Sequence, residues 1–441
     1  MKMKPTAAFT LLIALFLAGP ARAAVPTPLP NPDLPAKTPR ISQGEAGASI
    51  SANPICSTLK RYARMGNNGP GLRVRNLKSG KTICGLNAAR KRSLASNTKI
   101  FTTAAALARL GEKHRFKTKV FATSEVGQNG VLKGSLYLKG AGDPSLGTKA
   151  FNKAYLAGQG TDIEKIANQV KAAGITKVTG RLFGDASVFD STRGVADSGF
   201  GTSPYIGPLS GLAFNAGYTS SSFSQFSSSP EKLATRTLVR ELRKRGIQIR
   251  EEIAMRKTPA SARKNLISRV RSQDMAWMAR LTNLLSNNFY AETLLKDLGA
   301  VVRKSGTTRS GAIVARRYAA SLGADLDNID GSGLTRGNIA SPADVVKFLS
   351  RVRNKPFSES FLQSLPTAGV DGTLANRMGG TAAVGNCHAK TGTLTGVSSL
   401  SGYCFNSSGR KFAFSILMNN VRDLYAAHLG QDRIAAAIAR L

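Results

Sequence analysis

The sequence predicts an α/β (α+β) fold in which an antiparallel sheet flanked by helices is interrupted by an inserted domain. Three observations predict it. Paired strand-like runs enclose short turns, residues 72–77 with 81–86 around Ser79-Gly80 and residues 387–394 with 397–405 around Thr395-Gly396. Apolar residues recur at helical spacing over 96–110, 275–285, 289–298 and 424–441. Between the first two of these runs lies a long interval with its own alternation of strand and helix signals, far more chain than a helix–helix connection needs. The division that follows is a leader over 1–23, a tether over 24–54, one domain built from 55–112 and 268–441, and inserted material over 113–267.

The elements justify themselves in order. Lys2 and Lys4 precede an apolar run over 7–18, and Ala21-Arg22-Ala23 supplies a small-residue cleavage site. That is the pattern of a secretory signal with Ala24 as the mature start, so the chain is expected in the periplasm or elsewhere in the cell envelope. The apolar run is too short to span a bilayer as a mature helix, no cysteine follows it for a lipid anchor, and no later segment resembles a transmembrane helix. Residues 24–54 are rich in Pro, Ser and small residues, the composition of a flexible tether. A short helix and the first hairpin fill 59–95, and the helical run 96–110 ends at Gly111, a helix stop. Inside the interval, 116–123 and 131–139 read as strands around Asn129-Gly130, 163–173 as a helix and 177–184 as a strand. The core resumes near Ser268, and a last strand covers 411–419. The amphipathic run 424–441 suits either a membrane surface or a sheet face.

At 441 residues the chain can bury a sizeable core. Its formal net charge of +37 favours polyanions. With an export signal and no zinc-finger or RNA-binding motif, nucleic acid is a poor partner; anionic envelope polymers and acidic cell-wall peptides fit better, and a merely soluble basic surface is the other reading. His114, His388 and His428 show no metal-ligand spacing, which argues against a zinc carboxypeptidase and predicts no cofactor.

Three motifs stand in one order: Ser96-Asn97-Thr98-Lys99, Ser286-Asn287-Asn288 and Lys390-Thr391-Gly392. S-x-x-K also occurs at Ser57, Ser229 and Ser261, and K-S-G at Lys78 and Lys304, so context must separate the copies. Only Ser96 opens a long apolar helical run, which sets Lys99 one turn away on the same face. A serine hydroxyl needs a base to take its proton, and a neutral lysine amine can serve. The other reading of Ser96 is a helix N-cap. Ser286-Asn287-Asn288 sits between two helical runs, either as a plain turn or as a proton-relaying hydroxyl, Ser286, beside an amide, Asn288, for a substrate carbonyl. Lys390 lies on a strand, where it either guards an edge against aggregation or, with Thr391, holds a terminal carboxylate, Gly392 letting the substrate backbone approach. In the functional reading the N–H groups of Ser96 and Thr393 form an oxyanion hole.

Around these motifs stand Gly140-Ala141-Gly142-Asp143-Pro144-Ser145-Leu146, Gly184-Asp185-Ala186-Ser187-Val188-Phe189-Asp190, Asp330-Gly331-Ser332-Gly333-Leu334-Thr335-Arg336 and Gly369-Val370-Asp371-Gly372-Thr373-Leu374. With Ala389-Lys390-Thr391-Gly392-Thr393-Leu394-Thr395-Gly396, these resemble the class C low-molecular-mass penicillin-binding proteins, D-alanyl-D-alanine carboxypeptidases/endopeptidases of the serine peptidase S13 type, from about Ile55 onward. The resemblance implies a penicillin-binding/serine β-lactamase-like transpeptidase core with an insertion between the first two motifs, and a C-terminal helix packed on the sheet. It implies Ser96 as the acylated nucleophile, Lys99 as its base, and Ser286, Asn288 and Lys390 as partners, with peptidoglycan stem peptides as substrate and β-lactams as inhibitors. It further implies that Asp143 and Arg336 grip the zwitterionic end of a diaminopimelate-like side chain, against the alternative of a surface salt bridge or turn cap. Two other functions stay open: a serine β-lactamase, for which no Glu-x-x-Leu-Asn segment lies between the motifs, and a non-catalytic basic envelope-binding protein.

Export permits disulfides among Cys56, Cys84, Cys387 and Cys404. A turn centred on Thr395-Gly396 sets Cys387 directly opposite Cys404 with both side chains on one face, near enough to bond if the pair is non-hydrogen-bonded. Cys56 with Cys84 follows by elimination.

Overall fold

A computed structural model describes residues 52–219 and 224–441. The leader, the Ala24 start and the tether as far as residue 51 lie outside the described residues. Helix α1 (Ala52–Ala63) takes in the last three residues of the expected tether, with Pro54 in its first turn, where the missing N–H costs no helical bond.

The first sheet takes strands from both ends of the chain. Strands β1 (Gly71–Asn76) and β2 (Thr82–Leu86) form the first hairpin. Helix α2 (Thr98–Leu110), which follows the first motif's Ser96, comes next and stops at Gly111.

The interval before the second motif builds a second sheet. Its strands are β3 (Arg115–Ala122), β4 (Leu136–Lys139), β5 (Leu182–Asp185), β6 (Ile253–Met255) and β7 (Leu266–Asp274), in the spatial order β6-β5-β4-β3-β7. Helices α3 (Ile163–Ala172) and α4 (Pro230–Lys244) cover one face, where Ile166, Val170, Leu182, Leu238 and Leu242 are buried together. The hairpin around Asn129-Gly130 forms, with Lys119 opposite Lys139, but its second strand breaks at Lys133-Gly134-Ser135. There Gly134 turns its N–H back to the Leu132 carbonyl. The expected boundary at residue 267 falls inside β7, because Ser268 to Asp274 stay paired with β3.

The chain then returns to the first sheet's helical face. Helices α5 (Met275–Leu284), α6 (Asn288–Arg303), α7 (Thr308–Ser321) and α8 (Pro342–Val352) pack with α2 around Phe101, Leu294, Leu298 and Phe348. Strands β8 (Cys387–Leu394), β9 (Val397–Phe405) and β10 (Lys411–Asn419) complete an antiparallel sheet in the order β8-β9-β10-β1-β2. Helix α9 (Leu424–Ala439) lies on its other face, where Ile434, Ala435 and Ile438 meet Leu400, Phe412 and Phe414. Each fully buried aliphatic side chain there contributes about 1.5–3 kcal/mol. Helices on both faces bury β9 from Val397 to Cys404, so its polar side chains need partners: Ser401 bonds Ser415 at 2.9 Å, and Ser398 accepts from Gln431 at 2.9 Å.

Both expected disulfides are present. Cys387 and Cys404 are register partners with Cα atoms 4.1 Å apart, the short spacing of a non-hydrogen-bonded pair. Cys56 joins Cys84, stapling α1 to the first hairpin. Replacing Cys387 and Cys404 together by serine is expected to lower stability by about 3 kcal/mol, the scale for a loop of this size. A urea melt of the oxidised parent and the double variant checks it; coincident midpoints refute it.

Candidate active site

Ser96 lies in a 3-10 turn, Ala95–Asn97, that immediately precedes α2. The N-cap reading fails on this geometry: Asn97 holds the cap position, and the Ser96 hydroxyl meets the Lys99 amine at 3.0 Å. The turn is strained. Ala95 is fully buried with φ at +46°, a conformation costing about 1–3 kcal/mol outside glycine. Its carbonyl is packed against Gly333, where a β-carbon would collide with it. The strained turn presents half-buried Ser96 at the start of a buried helix.

Lys99, one turn on, is fully buried. Its Nζ donates to Asn288 Oδ1 at 2.7 Å and to the Ser332 carbonyl at 2.8 Å, and lies 3.0 Å from the Ser96 hydroxyl. Burial drives its pKa down to about 7, against the opposing pull of Glu292 and Asp330. A neutral amine has two N–H donors and one lone pair. The two acceptors that can only accept, Asn288 Oδ1 and the Ser332 carbonyl, take the donors. The lone pair is left for the Ser96 hydroxyl.

The loop that presents Ser332 is held from beneath. Glu292, fully buried on α6, accepts the Ser332 N–H at 2.6 Å and the Gly331 N–H at 3.0 Å. Asp330 accepts from the Gly333 and Thr335 N–H groups at 2.7 and 2.8 Å. Burial, followed by the mutual repulsion of the two acids, pushes Glu292 upward; burial does the same to Asp330. Sequence reading missed Glu292 and the Ser332 carbonyl. A signal was there for Glu292, an acid one turn from Asn288 inside an apolar helical run. A main-chain acceptor leaves no mark on residue type.

Ser286 joins α5 to α6 with φ at +55°, and it is half-buried. Asn287 caps α6 by accepting the Tyr290 N–H at 3.1 Å. Asn288 is the first residue of α6; while its carbonyl oxygen holds Lys99, its Nδ2 donates to the Tyr205 carbonyl at 3.1 Å.

Strand β8 closes the site as the edge of its sheet. Gly392 lies so near the Ser96 turn that a β-carbon would come within 2.9 Å of the Ser96 nitrogen and the Leu94 carbonyl. Asn97 Nδ2 donates to the Lys390 carbonyl at 3.0 Å, and Ser399 Oγ to that of Leu94 at 2.8 Å, tying turn to strand. Ala389 sends its N–H outward to the Pro366 carbonyl, so the N–H groups of Thr391 and Thr393, two and four residues on, face the same outer edge. Lys390 is fully buried; burial, then the neighbouring Lys99, holds its pKa well below the ordinary lysine value. Thr391 Oγ1 lies 2.8 Å from Thr373 Oγ1.

The structure does not assemble Asp143 and Arg336 into a joint grip. Asp143 is 3% exposed, and both its oxygens are engaged by Ser145 and Thr161 hydroxyls at 2.6 Å. Arg336 donates to the Thr395 carbonyl at 2.5 Å, on the turn between β8 and β9. It lines a cleft of about 360 Å3 with Lys91, Arg92 and Asn419.

A family model described as the D-Ala-D-Ala carboxypeptidase 3 (S13) family matches residues 53–228 and 221–441. The chain is 30% identical over 425 residues to a D-alanyl-D-alanine carboxypeptidase of Actinomadura sp. strain R39, covering 78% of this chain and 76% of that one. It is 24% identical over 440 residues to the D-alanyl-D-alanine carboxypeptidase DacB of Haemophilus influenzae, covering 83% and 88%. The crystal structure of penicillin binding protein 4 from Haemophilus influenzae superposes with a TM-score of 0.71 at 22% identity, covering 88% of this chain and 98% of that one, a likeness of fold.

Proposed function

The chain belongs to the D-Ala-D-Ala carboxypeptidase 3 (S13) family and is a serine-type peptidase, and on that premise we propose the residues that carry the reaction. The observation that carries the assignment is the buried Lys99 amine, whose two obligate acceptors leave its lone pair to Ser96. Neutral Lys99 takes the Ser96 proton as Oγ attacks the carbonyl of the penultimate D-alanine. The N–H groups of Ser96 and Thr393 receive the oxyanion. Lys390 and Thr391 hold the terminal carboxylate, Gly392 keeps the strand close, and Asn288 exchanges its Tyr205 bond for the substrate amide. Ser286 passes the proton to the departing D-alanine amine, and water then opens the acyl-enzyme. Endopeptidase cleavage of a cross-link is the same acyl transfer with a different leaving amine. β-Lactams acylate Ser96 by the same attack, with the opened ring retained. The interval through Asp274 forms the inserted domain, and the protein acts after export, in the periplasm or envelope, where both disulfides persist.

Release of D-alanine from a pentapeptide, measured beside nitrocefin turnover, tests this reading. Release with slow nitrocefin turnover is expected. Rapid nitrocefin turnover without release makes the protein a β-lactamase, and neither activity makes it a binding protein.

Arg336 stands on β8's turn in a cation-lined cleft, so it receives an acidic group of the stem peptide. Arg336→Ala is expected to cut kcat/KM about tenfold on peptides with an acidic side chain and little on neutral ones, the loss of one charged hydrogen bond. Equal losses on both peptides would make Arg336 structural.

A further inference from the structure

Three adjacent strands of the second sheet line up cations. Lys117 and Lys119 are two residues apart on β3 and share one face. The register sets Lys119 opposite both Lys139 of β4 and Arg269 of β7, and Lys117 opposite Arg271. Like charges directly opposed across strands destabilise a sheet. Burial lowers the Lys119 pKa, and Arg269, Lys117 and Lys139 lower it further. Lys139 has a partner, Asp185 at 3.2 Å; among the described residues, Lys117, Lys119, Arg269 and Arg271 have no ion pair.

Lys117, Lys119, Lys139 and Arg271 line a cleft of about 970 Å3, whose rim also carries Lys257 and Lys304. Its acid, Asp297, is fully buried and pushed well above the carboxylate range by burial and by Asp143. The cleft opens beyond the C-terminal ends of α2 and α6, whose N-terminal ends hold Lys99 and Asn288. Helix rise puts it roughly 20 Å from the nucleophile. The same face carries Phe121, Tyr137 and Phe183; the first two are only 6% and 4% exposed, and Phe183 is stacked on Tyr137 and covered by Arg256. It therefore offers charge without the stacking rings that single-stranded nucleic acid uses.

We propose that this cleft is a second binding surface, holding the polyanionic strand of the wall polymer, a glycan bearing acidic peptides, while Ser96 works on a peptide terminus elsewhere on that polymer. This rests on the peptidase reading above. Peptide carboxylates repeat along such a strand, and rows of unpaired cations match them by charge, strengthening capture at low ionic strength.

The test is the double variant Lys117→Gln/Arg271→Gln, cosedimented with purified peptidoglycan sacculi at low and high salt, beside D-alanine release from a soluble pentapeptide. Sacculus affinity at low salt is expected to fall roughly tenfold, and the salt dependence to weaken. Pentapeptide turnover is expected to stay within about twofold, since the sites are distant. The melting midpoint should hold or rise, because opposed like charges are removed. Unchanged sacculus binding overturns the proposal. So does a lowered midpoint, which would mark the rows as structural, or a loss seen only with polyphosphate as probe. A parent that binds sacculi through these residues yet releases no D-alanine would overturn the peptidase reading and leave the cleft standing.

Discussion

Replacing Ser96 by alanine is expected to abolish the covalent adduct with penicillin and leave the fold in place. The bonds that shape the turn do not use the Ser96 hydroxyl. Asn97 N–H bonds the Leu94 carbonyl at 3.1 Å, and Thr98 Oγ1 bonds that of Ala95 at 2.9 Å. The substitution removes one half-buried oxygen whose hydrogen bond goes to Lys99. No hydroxyl then sits at the point where Lys99 directs its lone pair. Intact-protein mass after incubation with penicillin reads the result directly, and an adduct of full stoichiometry on the alanine variant would place the nucleophile elsewhere.

Replacing Lys99 by alanine is expected to slow acylation by roughly 10²–10⁴-fold, the usual worth of a positioned general base. On the proposed assignment Ser96, the Ser96 and Thr393 N–H groups and Lys390 all remain, so binding is expected to survive while proton transfer fails. The parent's pH profile carries a second signature. Below about pH 7 the Lys99 ammonium donates all its protons and has no lone pair for Ser96; above it, the neutral amine accepts the hydroxyl proton. The acylation rate of the parent should therefore climb with pH through about 7 and level off, and the variant should lack that limb. The variant also strands Asn288 Oδ1 and the Ser332 carbonyl, at about 1–3 kcal/mol each if they stay dry, so rates are compared well below its melting point. A persisting limb near pH 7 would assign the titration to another group.

What was legible in the chain follows from periodicity and covalent spacing. A hairpin centred on Thr395-Gly396 fixes every partner along it, so Cys387 and Cys404 could be paired from numbers alone. The helix after Ser96 announces itself by apolar repeats, and Lys99 follows from the pitch. The long interval, with its own strands, built a separate sheet and core. The rest depends on tertiary placement. The 3-10 turn and the left-handed Ala95 arise from contact with Gly333, more than two hundred residues away in sequence, which no local propensity encodes. Asp143 looked like a site acid because it stands in a family-like block, but its neighbours Ser145 and Thr161 take both oxygens. Ser332 acts through its carbonyl, which every residue type possesses.

The two buried lysines have a consequence for which ligands the site accepts. Burial lowers the proton affinity of both, and Lys99 lowers that of Lys390 further, so the resting pocket is short of positive charge that it has the groups to carry. A carboxylate arriving beside Lys390 makes its ammonium form favourable again, and the pocket draws a proton from solvent as it binds. An amide-terminated peptide brings no such compensation and would have to bury a lysine without its counterion. Discrimination at the C-terminus then acts through a penalty on the wrong ligand as much as through a bond to the right one. On the proposed assignment, binding and proton uptake are one event, and it leaves Lys99 the neutral partner.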